Sequence, residues 1–186
     1  MDKNKRNFTA KKAALIGLFV ALIWLGAIIS IPIPPVPFTL QTLFVLMAGA
    51  LLGGAEGAIC VGIYIFMGLI GIPVFSGFSS GFSYVLNPKF GFLLGFIFSA
   101  LITGMIIDKK KDASYKRIIV AVIFGTIVTY VFGITYFLFL KAFYLGGEID
   151  IWNIFLSFWI LFIPTDVIKG AIVVFTTKKL SPVLYR

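Results

Sequence analysis

The run Ile118-Ile119-Val120-Ala121-Val122-Ile123-Phe124-Gly125-Thr126-Ile127-Val128-Thr129-Tyr130-Val131-Phe132-Gly133-Ile134-Thr135-Tyr136-Phe137-Leu138-Phe139-Leu140 holds no charged residue between Arg117 and Lys141. As a helix rising 1.5 Å per residue, it is long enough to cross a hydrocarbon layer about 30 Å thick. Five more apolar stretches accompany it, and the expected spans lie near 13–31, 38–53, 56–72, 90–107, 118–140 and 153–175. The first and sixth also cross unaided. The second and third are short and joined only by Gly53-Gly54-Ala55-Glu56-Gly57, which leaves open two crossing helices or a re-entrant hairpin. Either way the number of spans is even, and the two termini share one side. Composition agrees: 60% of the 186 residues are hydrophobic and 12% charged, whereas soluble domains are about 45 to 50% apolar and about 25% charged. The expectation is an all-α integral membrane protein, a compact bundle of six transmembrane helices forming a single domain over 1–186.

The net charge of +9 raises nucleic acid as a partner, but the positions of the charges argue against it. Lys3, Lys5, Arg6, Lys11 and Lys12 precede the first span. Lys109, Lys110, Lys111, Lys116 and Arg117 lie between the fourth and fifth, and Lys178, Lys179 and Arg186 follow the sixth. All of these fall on one face, against Lys89 and Lys141 on the other. The excess is a topology signal that places both termini in the cytoplasm and the segments 32–37, 73–89 and 141–152 outside. A basic start followed by an apolar run imitates a secretory signal, but this run is too long and five others follow, so it reads as a retained first helix.

Two outer segments are unusual. Ile31-Pro32-Ile33-Pro34-Pro35-Val36-Pro37 lacks the N–H donors a helix needs and reads as a stiff extended cap. The segment 73–89 is rich in Gly, Ser and aromatics, with Phe75 and Tyr84 among them. Long loops of this kind act as lids or binding loops; the competing reading lays its aromatics in the interfacial belt.

Within the spans, ionisable residues nearly vanish except in Ile163-Pro164-Thr165-Asp166-Val167-Ile168-Lys169-Gly170. A charge at the bilayer centre costs roughly 2.5 to 3.5 kcal/mol and by default marks a cavity or binding site. A spacing of three places Asp166 and Lys169 on one helix face, with Cβ atoms about 5 to 6 Å apart. They form either an ion pair that only neutralises itself or a site for a ligand with complementary groups, Asp166 accepting N–H donors and Lys169 donating to a carbonyl or carboxylate. Pro164 removes a backbone donor one turn earlier, so the helix is expected to bend beside the site. Gln41, Thr42 and Asn87 are further polar candidates near the outer face, each readable equally as a cap or interfacial residue. Small residues recur at four-residue spacing, as in Ala10 with Ala14, Ala13 with Gly17 and Ala21, Gly49 with Gly53, and Gly91 with Gly95. This spacing lets helices approach closely. On the first helix the small face runs for three turns and is a candidate docking surface for another membrane protein.

What is missing narrows the function. There is no histidine, which removes the usual general base and the commonest metal ligand, and neither a metal site nor a catalytic residue is expected. The lone Cys60 sits in an apolar run and reads as a buried thiol. No phosphate-binding loop of the G-x-x-x-x-G-K-[ST] type occurs, and no chain of acids threads the spans, so a transporter built on this chain draws its energy from a partner.

The motifs Pro37-Phe38-Thr39-Leu40-Gln41-Thr42-Leu43, Gly68-Leu69-Ile70-Gly71-Ile72-Pro73-Val74-Phe75, Gly91-Phe92-Leu93-Leu94-Gly95-Phe96 and Pro164-Thr165-Asp166-Val167-Ile168-Lys169 occur in this order. Together they resemble the biotin-specific substrate-capture (S) component of energy-coupling-factor (ECF) vitamin transporters, over about residues 10 to 178. The resemblance implies six helices, no catalytic chemistry, and a biotin pocket near the outer face closed by the loops between helices one and two and between three and four. It also implies docking through the first helix on a transmembrane coupling subunit joined to two ATP-binding-cassette ATPases. ATP is then used by those partners, and this chain needs no cofactor. Mapped here, the implied binding residues are Asp166, Lys169, Asn87, Gln41, Thr39, Phe75, Tyr84 and Phe92, and the docking face is Ala10, Ala14, Gly17 and Ala21. Asn87-Pro88-Lys89-Phe90-Gly91-Phe92 departs from the more usual G-P-T-G-G-Y-like form. Biotin, with two ureido N–H donors, a carbonyl, an apolar bicycle and a carboxylate tail, suits a buried acid, a buried ammonium, an amide and an aromatic lid. The rival readings are a capture component for another vitamin, a stand-alone facilitator, and a small membrane enzyme using Asp166 and Lys169 as acid and base.

Overall fold

The structure, a computed structural model, describes residues 10–31, 37–107, 113–146 and 151–184, with the side chains of 145, 151 and 153–161 excepted. The proline cap at 32–36, the inner loop 108–112 and the outer segment 147–150 lie outside the described residues. Six α-helices stand among those described: α1 (Ala10–Ile28), α2 (Gln41–Leu52), α3 (Gly54–Leu69), α4 (Phe90–Ile107), α5 (Tyr115–Leu140) and α6 (Ile151–Leu184). Three stretches, Ala10–Ile28, Phe90–Ile107 and Tyr115–Tyr144, are long and apolar enough to cross a membrane by themselves.

Several boundaries differ from the hydropathy reading. The first helix ends at Ile28 rather than 31, because Ser30–Ile31 (β1) leaves it to pair antiparallel with Phe38–Thr39 (β2). A residue before proline is biased to the extended region, and Ile31 precedes Pro32. Thr39 is accordingly on a strand, and α2 begins only at Gln41. At the other end of the chain, α6 continues through Pro164 to Leu184 rather than stopping near 175, since hydropathy reports the lipid-covered part of a helix and not where its hydrogen bonds end.

The two short spans are distinct helices joined at Gly53, whose φ of 95° lies in the left-handed region that a side chain disfavours. Here the backbones of α2, α3 and α4 nearly touch. A Cβ at Gly49 would collide with the Ala100 carbonyl, and one at Gly57 would come within 2.8 Å of Gly49. The small residues at these positions therefore pack the bundle.

The core falls into two main clusters, with Phe44 and Met47 of α2 packed against both. Ile16, Phe19 and Ile23 of α1 meet Val45, Cys60, Tyr64 and Phe96, while Leu43 and Leu46 of α2 meet Ile118, Val122 and Val173. Large apolar side chains also face outward, among them Phe66, Ile70, Val131, Phe139, Val167 and Phe175. A bundle with an apolar outside suits lipid as its surroundings. At the basic end, Lys12 pairs with Glu56 of the first turn of α3 at 3.5 Å.

The candidate substrate-binding cleft

A cleft opens among β2, α2, α4, α5, α6 and the loop 73–89. Its walls include Thr39, Gln41, Thr42, Ser76, Tyr84, Lys89, Phe92, Thr129, Tyr130, Phe162, Asp166 and Lys169. On α6 the spacing of three brings Lys169 Nζ to 2.6 Å from Asp166 Oδ1. Lys169 is 4% exposed; its ammonium also donates to the Thr39 carbonyl at 3.3 Å and lies 4.5 Å from the centre of the Phe38 ring. The other oxygen of Asp166 accepts a hydrogen bond from the Tyr130 hydroxyl of α5. Two opposite charges at this depth are thus neutralised by one another and bonded on their remaining sides, which reduces the cost of holding them away from water.

The second polar group belongs to α2 and α3. Gln41 Nε2 donates to the Tyr64 hydroxyl at 2.8 Å, and that hydroxyl donates to the Val74 carbonyl at 2.9 Å, tying the start of the 73–89 loop to α3. Thr39 Oγ1 accepts from the Gln41 amide N–H at 3.3 Å, so the strand-to-helix junction is fixed by its own side chain.

The 73–89 loop divides its aromatics between the two expected roles. Phe75 is buried, stacked on Tyr84 with ring centres 4.4 Å apart and edge-on to Tyr64. Phe78 and Phe82 are 62% and 77% exposed and point away from the bundle. A backbone bridge between Phe75 and Ser79 closes a turn in which Gly77 and Phe78 have φ of 73° and 56°. The loop is pinned farther along by Gly81 N–H to the Gly68 carbonyl at 2.8 Å and by the Tyr136 hydroxyl to the Val85 carbonyl. Burial holds the Tyr84 phenol above its ordinary pKa, so it meets the cleft as a neutral hydroxyl.

Of the residues expected at a binding site, the structure brings Asp166, Lys169, Thr39, Gln41, Tyr84 and Phe92 to one cleft. Phe75 lies behind Tyr84 as a support, and the Asn87 side chain turns back to accept from the Lys89 amide at 3.0 Å. Neither lines the cleft. Tyr130, Thr129, Phe162 and Lys89 line it without having been expected. Tyr130 sits in an uninterrupted apolar run and gives no sequence sign of its partner; Lys89 reads there as a topology charge.

The cleft is narrow, with about 50 Å³ open to the centre of a water molecule, room for a few waters. A wider groove of about 660 Å³ runs between α5 and α6. Its walls are apolar and it opens to the side, as suits an acyl chain rather than a polar ligand. Tyr130 and Asp166 line both, so the Tyr130–Asp166 hydrogen bond is the partition between cleft and groove.

On α1, Ala10, Ala14, Gly17 and Ala21 are all exposed, and a Cβ added at Gly17 would meet nothing within 4 Å. They form a flat strip along one side of the helix.

The family model described as the BioY family matches residues 1–186. The chain is 47% identical over 122 residues to a probable biotin transporter of Lysinibacillus sphaericus, covering 66% of this chain and 62% of that protein. It is 42% identical to a biotin transporter of Thermotoga maritima over 53% of this chain and 59% of the relative. These two matches thus span about three fifths of the relatives' length. A probable biotin transporter of Pyrococcus horikoshii is 35% identical over 92% of this chain and 97% of its own. Among solved structures, the crystal structure of the S-component for biotin from an ECF-type ABC transporter superposes with a TM-score of 0.80 at 28% identity, covering 95% and 94% of the two chains. With the membrane bundle, the polar cleft beneath the loop and matches that run the full length of the chain, this multi-pass membrane protein belongs to the BioY family.

Proposed function

We propose that this chain captures biotin at the outer face of the cell membrane and delivers it inward as the S component of an ECF-type importer. The observation that carries the reading is the buried Asp166–Lys169 pair, cross-linked to Tyr130 and Thr39 at one end of an aromatic-walled cleft. A cyclic urea offers two N–H donors to a carboxylate, and a carbonyl to a hydroxyl or ammonium. Asp166 is placed to take the first role, with Tyr130 or Lys169 turning to the second. The names of the relatives and of the superposed crystal structure support biotin as the ligand.

Delivery needs partners. In this reading a transmembrane coupling subunit seats on the strip Ala10, Ala14, Gly17 and Ala21, whose small side chains let a second helix approach closely, and two ATPases joined to that subunit hydrolyse ATP. The basic residues at the ends of α1 and α6 support a cytoplasmic side for both termini. The chain itself breaks and makes no covalent bond.

The test is equilibrium binding of labelled biotin to the purified protein in detergent, with riboflavin, thiamine and lipoate as competitors. Saturable binding displaced by biotin alone is expected. Displacement by another of these vitamins would move the chain to that ligand, and no binding by folded protein would remove vitamin capture.

A further inference from the structure

The cleft contains two lysines, and they are not equivalent. Lys169 is consumed by the fold: its ammonium faces Asp166, the Thr39 carbonyl and the Phe38 ring. An anion brought to it would meet the Asp166 carboxylate beside it. Lys89 lies on the cleft wall, half-buried, where α4 begins. Only two acids are among the described residues, Glu56 paired with Lys12 and Asp166 paired with Lys169, so the Lys89 ammonium faces no carboxylate among the described residues. Asp166, Lys169 and Lys89 together leave the cleft wall with one positive charge in excess, a field that draws in a monoanion.

The backbone beneath Lys89 is held in place. The Lys89 N–H donates to Asn87 Oδ1 at 3.0 Å, the Phe90 N–H to the Asn87 carbonyl at 2.9 Å, and the Phe92 N–H to the Lys89 carbonyl at 3.1 Å. Asn87 therefore fixes the backbone of Lys89 where α4 begins. From there Phe92, Leu93 and Phe96 carry an apolar wall inward along α4, about 10 Å over seven residues. Thr129 and Tyr130 of α5 then lead to Asp166. The cleft wall thus carries an ammonium at the start of α4, apolar side chains along α4, and at the Asp166–Tyr130 pair the groups that suit a cyclic amide.

We propose that Lys89 is a specificity-determining residue that reads the carboxylate of the ligand's tail, selecting the free acid over its uncharged derivatives. The inference rests on the biotin reading and assigns its two ends: the ring to Asp166 and Tyr130, the acid to Lys89. A charge-assisted hydrogen bond from a half-buried lysine to a carboxylate is worth about a tenfold change in affinity.

The experiment compares biotin with its methyl ester and its primary amide as ligands of the full-length protein in detergent, for the wild type, Lys89→Met and Lys89→Arg. Wild type should bind the acid about tenfold more tightly than the ester or amide. Lys89→Met should lower the affinity for the acid by about that factor, hold the ester within about twofold, and erase the discrimination; Lys89→Arg should preserve it. Retained ester binding reports that Lys89→Met is folded. Equal loss for acid and ester, no loss for either, or a wild type indifferent to the acid's charge would overturn the role of Lys89 while biotin capture stands. A folded wild type that binds neither acid nor ester would overturn the capture reading and this inference with it.

Discussion

Asp166 and Lys169 allow a test that separates stability from binding. Each side chain is about nine-tenths buried, and the two are 2.6 Å apart. Lys169→Met removes the ammonium and leaves the Asp166 carboxylate with only the Tyr130 hydroxyl. Asp166→Asn leaves an ammonium against the Thr39 carbonyl and the Phe38 ring. An uncompensated buried charge costs about 3 to 5 kcal/mol, which in a chain of this length corresponds to a fall of about 10 °C in unfolding temperature. The double variant buries no charge, Met fills the volume of the lysine stem, and Asn still accepts from Tyr130. Its stability should return to within about 1 kcal/mol of the wild type, as when a buried ion pair is replaced by neutral groups of similar size. Biotin affinity should behave differently, falling at least about tenfold in both single variants and in the double. The assay is thermal unfolding in detergent beside biotin titration for all four proteins. A double variant destabilised by the sum of the singles would show that the two charges are not one energetic unit. A stable double variant that binds biotin like the wild type would show the pair to be purely structural, and the ligand would have to be placed elsewhere.

The partition residue gives a second prediction: Tyr130→Phe keeps the ring packed on Phe92 and Phe162 but removes a hydrogen bond to a carboxylate, and biotin titration should show a loss of about tenfold together with a fall of about 5 °C in unfolding temperature. Gly17→Leu, on the exposed strip of α1, should abolish co-purification with the coupling subunit while leaving biotin titration of the isolated chain unchanged. Gly133 faces the Phe92 ring so closely that a Cβ would collide with it. Gly133→Ala therefore pushes that ring toward the cleft, and should cost about 1 to 3 kcal/mol in thermal unfolding together with a measurable loss of biotin affinity.

The helices were legible because a bilayer imposes length and hydropathy on every span, and the charges flanking them set the order of faces. Their ends were less so. Ile29 and Ile31 are as apolar as the helix before them, and it is the pre-proline bias at Ile31 together with pairing to Phe38–Thr39, a contact across the proline segment, that takes Ser30–Ile31 out of it. The α6 pair was legible because two charges in an apolar run have few explanations. Tyr130 was not, because its hydroxyl acquires meaning only from the packing of α5 on α6, and neighbours in an apolar run hide it. Within the 73–89 loop the residues alone did not separate Phe75, Phe78, Phe82 and Tyr84, and only the resemblance singled out Phe75 and Tyr84. Backbone geometry separates them: the turn at Gly77 and Phe78 sends Phe78 outward, while Phe75 and Tyr84 fold back onto Tyr64.

Capture without energy input, as proposed, demands that the polar groups of the site be satisfied before the ligand arrives, since an orphaned charge at this depth costs about 3 to 5 kcal/mol. Asp166 meets that demand through Lys169 and Tyr130, and Gln41 through Tyr64. Ligand binding on this arrangement exchanges one set of hydrogen bonds for another and takes its favourable free energy from the apolar part of the vitamin between them. The space of about 50 Å³ means that the walls must part for that exchange. The anchors limit where: Val74 is tied to Tyr64, Gly81 to Gly68 and Val85 to Tyr136, while β1 and β2 clamp the ends of the segment opposite. Among the described residues, the piece of lid for which no such tie to the helices is seen is the turn from Gly77 to Ser80, closed by the Phe75–Ser79 bridge and the Ser79 hydroxyl on the Ser76 carbonyl and carrying Phe78 in the left-handed region. On the proposed function, opening is expected at this turn and at the aromatic rings beneath it, where the fewest contacts have to break.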